Sequence, residues 1–328
     1  MKELKIIEVK SEIGAGTRGA SLGVDAIKIA ALDFGSRYFK KHNTLEIPNE
    51  NHLLLEATGN AYAKRISGVL TMVERVTEEV AKTLENNSFP IILAGDHSTA
   101  AGTISGIRKA YPKSKLGVIW VDAHADLHSP YTTPSGNLHG MSMAIVLDED
   151  NLDSKVNKPD QETLNYWFQL KNVANIAPKI TYKDVVYIGV RDVEIQEEFL
   201  LKRHRVKNFT IADIRKRSVE RIAIDAIQTL DHCDLIYVSF DVDVSPFLEF
   251  ASAIANAKSS EQDISNPTVP SYPLPFCLAP TTPIGISLPF LPLAPYTNIV
   301  SPFGNLFNFI PFCNSSYDDT PNTLCKVF

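Results

Sequence analysis

The sequence predicts an α/β sandwich built on a mainly parallel sheet, and three observations predict it. Four short apolar runs, FPIILAG (89–95), KLGVIWVDA (115–123), DVVYIGV (184–190) and DLIYVSFDVD (234–243), are β-branched and aromatic and do not alternate with polar residues. That is the pattern of strands buried on both faces beneath helices. Helical segments fall between them, at about 98–110, 194–203 and 214–230, which gives the β-α rhythm of an open sandwich. Finally, three of the runs end in acids and histidines, and open parallel sheets collect their sites at the carboxyl ends of strands.

In chain order, LKIIEV (4–9) reads as a first strand and LGVDAIKIAAL (22–32) as a helix. Between them GAGTRG (14–19) fits a GxGxxG pattern, which would suggest a dinucleotide site. The strand before it is short and charged, and no acidic strand end follows, so a glycine turn is the preferred reading. Residues 56–84 read as a long helical stretch interrupted near Gly59. Its Ile66, Val69, Leu70, Val73, Val76 and Val80 recur at spacings of three and four, the mark of one buried face. The stretch is too short for a coiled-coil seam, so it is expected to face the core.

Composition sets the class. Of 328 residues, 44% are hydrophobic and 21% charged, as in ordinary globular proteins. A net charge of −6 favours neither nucleic acid nor an anionic membrane as a partner. The start lacks the apolar run of a secretory signal, and no apolar span of membrane length precedes residue 245. The four cysteines include no CxxC pair, so neither a disulfide framework nor a zinc ribbon is expected. A cytoplasmic location is expected. His42, His52, His204 and His232 have no partner nearby in sequence and read as surface or boundary residues.

The character changes after about residue 245. Thirteen of the 20 prolines fall in the last 83 residues, and Ile264 to Tyr317 contains no charged residue. Such a segment can be neither an ordinary helix nor a central strand, because proline removes donors and clashes with the preceding turn. For the same reason it is not read as a membrane span. Residues 1–245 are therefore read as one domain and 246–328 as a Pro-rich, charge-poor tail, irregular or disordered. Three origins compete: an unusual extension, a packed irregular region, or a frame-shifted translation of the last third. The abruptness of the change, directly after a motif, favours the third.

The chemistry concentrates in VDAHADLHSP (121–130). Alternate residues of an extended segment project to one side, so Asp122, His124 and Asp126 are expected to converge, with Ala123 and Ala125 small between them. Carboxylate with imidazole suits a divalent transition metal. Left unpaired at a buried strand end, such charges would cost several kcal/mol, of the order of ion desolvation. LAGDHSTA (93–100) adds His97, and YVSFDVDV (237–244) adds Asp241 and Asp243. Each motif alone is weak, since a histidine after a strand is commonly a satisfied polar residue and DxD is a common surface pattern. Together, two His and four Asp are many for one ion and suit a pair of ions with bridging carboxylates.

GDHS, DAHAD and SFDVD, in this order and spacing, resemble the arginase/agmatinase (ureohydrolase) family over about residues 5–244. TTPSGNLHGM (132–141) and YIGVRDVE (187–194) are similar to its arginase branch. The resemblance implies an eight-stranded parallel sheet between helix layers, homo-oligomers (trimers or hexamers), and two manganese ions. It implies His97, Asp122, Asp126 and Asp241 around one ion, and Asp122, His124, Asp241 and Asp243 around the other. It further implies that a metal-bridging hydroxide hydrolyses the guanidinium of L-arginine to L-ornithine and urea. Asp126 would take the proton and His139 would shuttle one to the leaving amine. Ser135, Asn137, Asp192 and Glu194 match positions that hold the amino-acid end of the substrate, although Asp is usual at 194. His128 stands where arginases often carry Asn, as a substrate contact or as loop decoration.

The family's later features do not follow SFDVD here: its Asp-Pro turn, TGTP-type loop, guanidinium-binding glutamate and late E-x-N-P strand. The final strands are therefore expected to be lost in the tail. Agmatinase or formimino-type chemistry, or an inactive truncated or frame-shifted arginase, are the alternatives.

Overall fold

The computed structural model describes residues 2–16 and 18–244, and the backbone of 276–278. The chain begins with β1 (Leu4–Val9), α1 (Leu22–Asp33), the single turn α2 (Tyr38–Lys41) and β2 (Asn43–Glu46). It continues through α3 (Ile66–Glu85), β3 (Phe89–Ala94), α4 (Ala100–Ala110), β4 (Leu116–Val121), α5 (Ser142–Leu147) and α6 (Gln161–Lys171). Then come β5 (Val185–Ile188), α7 (Ile195–His204), β6 (Lys207–Phe209), α8 (Ile211–Arg217), α9 (Val219–Thr229), β7 (Leu235–Phe240) and β8 (Phe276–Leu278).

The strands form one sheet in the order β2-β1-β3-β8-β7-β4-β5-β6. Every pair is parallel. Each residue of β3, β4, β5 and β7 is buried, so helices and loops cover both faces, as the unbroken apolar runs require. The predicted α/β fold with a parallel sheet is thus observed. β8 comes from the region read as a tail and lies inside the sheet, which corrects the expectation that this region holds no central strand: its three residues fall between Pro275 and Pro280 and need no proline in the ladder. The expectation that further strands are lost, and the domain division at 245, fall otherwise outside the described residues.

α3 is packed as its periodicity predicts, with Ile66, Val69, Leu70, Val73, Val76 and Val80 all buried. It does not extend back to 56. Arg65 lies in the left-handed region at φ 58°, which a helix cannot propagate through, and its Nε instead donates to the Leu53 carbonyl at 3.0 Å. The helix expected over 214–230 is divided in the same way by Ser218 at φ 67°, whose hydroxyl caps α9. GAGTRG is not a strand–helix junction: β1 ends at Val9 and α1 starts at Leu22. Among the described residues no helix is long and apolar enough to cross a membrane.

The four histidines read as surface or boundary residues are intermediate or exposed, and each has a neighbour, some distant in the chain and some close in it. His204 stacks on Tyr182 at 3.7 Å and His42 packs on Tyr38 at 4.6 Å between centroids. His52 Nε2 lies 3.7 Å from Glu50, and His232 Nε2 bonds Asp184 at 3.0 Å.

Candidate metal centre

The ends of β3, β4 and β7 meet at one point. After β3, Gly95 brings the chain against the segment following β1: a Cβ there would lie 2.2 Å from the Ser11 carbonyl oxygen. Asp96 then caps the turn that carries His97, accepting from Ser98 N at 2.9 Å and from Gly14 N at 3.1 Å. His97 is fully buried and lies flat on Trp120, with centroids 4.1 Å apart. Its Nε2 is engaged with the Ser239 hydroxyl at 2.7 Å, which leaves Nδ1 as the ligand atom. Nδ1 faces carboxylate oxygens of Asp122, Asp126 and Asp241 at 3.1, 3.2 and 3.4 Å.

Asp122 follows β4 directly. Trp120 Nε1 donates to its Oδ2 at 3.0 Å, and the His124 amide donates to its Oδ1 at 2.8 Å. Asp122 thereby belongs to two groups. Beside the His97 group stands a second, in which His124 Nδ1 lies 3.4 Å from Asp122 Oδ1 and 3.0 Å from Asp243 Oδ2. Asp243 is oriented by Asp241, whose Oδ1 accepts from the Asp243 amide at 3.1 Å. All six residues singled out in the sequence are therefore gathered here.

They do not converge for the reason the sequence suggested. β4 ends at Val121, so Asp122, His124 and Asp126 are not alternate residues of a strand. Asp126 adopts φ 51°, and its carbonyl accepts from Met143 N at 3.0 Å and Ala144 N at 3.3 Å in α5. This turn, not strand alternation, returns its carboxylate to His97. A left-handed non-glycine residue held by surrounding structure is a frequent feature of functional sites.

The electrostatics show what the cluster is short of. Four carboxylates stand around two imidazoles in a volume where His97, Asp122, Asp126 and Asp241 are at most 2% exposed. Burial raises Asp126 to about 6 and drives Asp241 well above the usual carboxylate range. Burial also opposes charge on His97, but the facing carboxylates of Asp122, Asp126 and Asp241 outweigh it and hold the ring far above an ordinary histidine. Hydrogen bonds to Asp122 and Asp243 lift His124 to about 11. His97 Nδ1, His124 Nδ1 and Asp126 Oδ2 are buried and make no hydrogen bond, a state that buried polar atoms seldom adopt. Oxygen donors with two imidazoles fit divalent ions of the manganese kind.

Around this cluster the other predicted residues divide. His139 Nδ1 is buried without a hydrogen bond, and burial with the nearby His97 and His124 lowers its pKa to about 4. Its amide donates to Gly14 O at 3.0 Å, so the GAGTRG turn braces the site. Asp192 is exposed, with Oδ2 3.6 Å from His124 Nε2. His128 bonds Glu194 Oε2 through Nε2 at 3.0 Å and Thr132 Oγ1 through Nδ1 at 3.1 Å. Ser135 and Asn137 lie on a more exposed loop, where Asn137 N donates to Ser135 Oγ at 3.1 Å. Neither bonds the acid cluster among the described residues.

Three residues near the site escaped the sequence reading. Trp120 and Ser239 each precede a ligand by two positions on a strand, so they share its side of the sheet, and that alternation was the available signal. Glu197 is buried, accepts from Leu127 N at 2.9 Å and lies 3.6 Å from His128 Nε2. Its signal was the E-x-x-E spacing from Glu194, which forms a capping box at the start of α7.

Fold and site define the class: a parallel α/β protein with a carboxylate–imidazole cluster at the carboxyl end of its sheet. The chain matches the Arginase family model over residues 2–255 and belongs to that family. It is 32% identical over 243 residues to an arginase of Bacillus subtilis (strain 168), covering 74% of this chain and 75% of the relative. The solved arginase of Bacillus caldovelox superposes with a TM-score of 0.66 at 26% identity, covering 81% of this chain and 89% of that one. A formimidoylglutamase of Bacillus subtilis shares the fold alone, with a TM-score of 0.54 at 18% identity over 81% of this chain and 77% of that one.

Proposed function

We propose that this chain hydrolyses the guanidinium group of L-arginine to L-ornithine and urea with two manganese ions. The observation that carries the reading is Asp122, one carboxylate turned toward two imidazole-containing groups at once. His97, Asp122, Asp126 and Asp241 would hold one ion, and Asp122, His124, Asp241 and Asp243 the other. Bound there, the two cations acidify water, so that a nucleophile is available near neutral pH.

The remaining steps belong to the chain's own side chains. Asp126, buried and with Oδ2 free of other hydrogen bonds, accepts the proton of the attacking water. His139, held neutral by its surroundings, carries a proton toward the leaving amine. Asp192 and Glu194 offer negative charge to the amino-acid end of the substrate, with Ser135 and Asn137 on the neighbouring loop. His128 bears on the same end through Glu194. That His128–Glu194 pair is also the observation favouring a related guanidino or formimino substrate as the second reading, since it alters what the substrate's far end meets. We read residues 1–245 as the catalytic domain of a cytoplasmic homo-oligomer, with 246–328 as an appended tail.

The test is urea release from L-arginine by the purified 328-residue chain with manganese, beside agmatine and an Asp122→Asn control. Urea from arginine that disappears in the control supports the reading. Urea from agmatine instead moves the assignment to the second reading. No urea from a folded, manganese-loaded chain overturns the guanidino readings, and absence of formamide from a formimino substrate then leaves an inactive member of the family.

A further inference from the structure

At the opposite, amino-terminal edge of the sheet a second group of ligand-type side chains converges. Asp184 immediately precedes β5, and His232 and Cys233 lie just before β7. These two strands flank β4 on either side. Asp184 Oδ1 receives His232 Nε2 at 3.0 Å and Cys233 Sγ at 3.7 Å. The three ligand atoms all lie within 4.8 Å of one another. From this geometry we infer a second metal site, separate from the catalytic cluster, in which Asp184, His232 and Cys233 bind a borderline divalent cation of the zinc class.

Four features carry this. The first is distance. Tetrahedral zinc with ordinary bond lengths separates oxygen from nitrogen by about 3.3 Å and oxygen from sulfur by about 3.5 Å. The observed 3.0 and 3.7 Å need only small adjustments.

The second is preorganisation. Asp184 Oδ2 is fixed by Thr181 N at 2.9 Å and Thr181 Oγ1 at 2.7 Å, so Oδ1 is aimed at the other two ligands before any ion arrives. The third is charge. His232 Nδ1 lies 4.0 Å from Asp231 Oδ1, too far for a hydrogen bond, so this carboxylate adds negative charge beside the imidazole. The fourth is room. A Cβ at position 117 would lie 3.2 Å from Cys233 Sγ, so glycine in β4 leaves the sulfur space to turn.

The donor set discriminates among ions. A thiolate with an imidazole selects zinc over manganese or calcium, whereas the catalytic cluster offers only oxygen and imidazole nitrogen. Burial and Asp184 push the Cys233 thiol up to about 12. An arriving cation therefore displaces the S–H proton to solvent, together with the Nε2 proton of His232 if that tautomer is present. Thiolate and carboxylate then balance the double charge of the ion. Water completes the tetrahedron, because His232 is partly exposed and opens the site to solvent. The ion would tie β5 to β7 across the buried β4.

Cobalt(II) is the probe, because a thiolate–cobalt bond gives a near-ultraviolet charge-transfer band that oxygen and nitrogen ligands do not. The full chain, with manganese first supplied to saturate the catalytic cluster, is titrated with cobalt(II). A second sample carries Ser at Cys277, Cys313 and Cys325 to silence the other thiols. The band is expected in both, absent in Cys233→Ser, and shifted to at least tenfold higher cobalt in His232→Ala. The last variant changes a partly exposed residue and leaves the buried thiol in place, so it reports even if Cys233→Ser does not fold. Zinc is expected to compete the band away. Absence of a thiolate band from the folded chain, its persistence in Cys233→Ser, or an unshifted titration in His232→Ala would each overturn the assignment.

Discussion

The two halves of the candidate metal cluster share Asp122 and the same residue types, yet they occupy different surroundings. Around His97 the side chains are at most 2% exposed, whereas His124 is 37% and Asp243 19% exposed. In the inner half burial raises Asp126 to about 6 and Asp241 well above the usual carboxylate range. In the outer half the carboxylates of Asp122 and Asp243 lift His124 to about 11, on a side chain partly open to solvent. Ligand type is therefore a poor guide to how strongly an ion is needed; burial of the ligands decides it.

The largest expected effect comes from removing the residue the halves share. Asp122→Asn should lower urea release from arginine by about 100-fold or more, the upper range of what even outer-shell changes cost. A variant that keeps a tenth of the activity in a manganese-supplemented assay would break the comparison.

Removing the ions altogether comes next. Chelation should lower the melting temperature by about 5–10 °C, because loading at a hundred times Kd is worth about 2.7 kcal/mol in a domain of this size. Manganese titration followed by calorimetry should show two steps, the tighter lost in His97→Asn and the weaker in His124→Asn. A single step in the unaltered chain would mean that burial does not separate the halves.

A subtler change sharpens the same point. Trp120→Phe keeps a ring under His97 but removes the donor to Asp122 Oδ2. Manganese affinity should fall about tenfold. The smallest effect is expected at the rim: His128→Asn should raise the preference for arginine over agmatine about fivefold, roughly one net hydrogen bond. An unchanged ratio of kcat/KM values would remove His128 from substrate selection.

Much of this was legible in the sequence, for physical reasons. The buried strands announced themselves as unbroken apolar runs, and the core face of α3 as a period of three and four. The six residues of the cluster were legible because polar residues at the ends of such runs need a partner. β2 and β6 were not legible, because short, largely exposed edge strands carry no apolar pattern. The path of Asp126 was hidden in a single left-handed dihedral. The approach of Glu197 to His128 and the partners of His204 and His232 depend on contacts across the chain, which spacing alone does not reveal.

The strand β8 has a consequence for how the molecule is made. Among the described residues it is the strand that pairs with both β3, which leads to His97, and β7, which leads to Asp241. A nascent chain that has reached only residue 275 holds the two sides of the cluster without that strand, by helix packing and contacts such as His97 with Ser239. Three late residues close the sheet between ligands encoded far earlier. Ion uptake thus becomes a report on chain completion, and truncations ending before and after 276–278 would differ in metal retention before they differ in helix content.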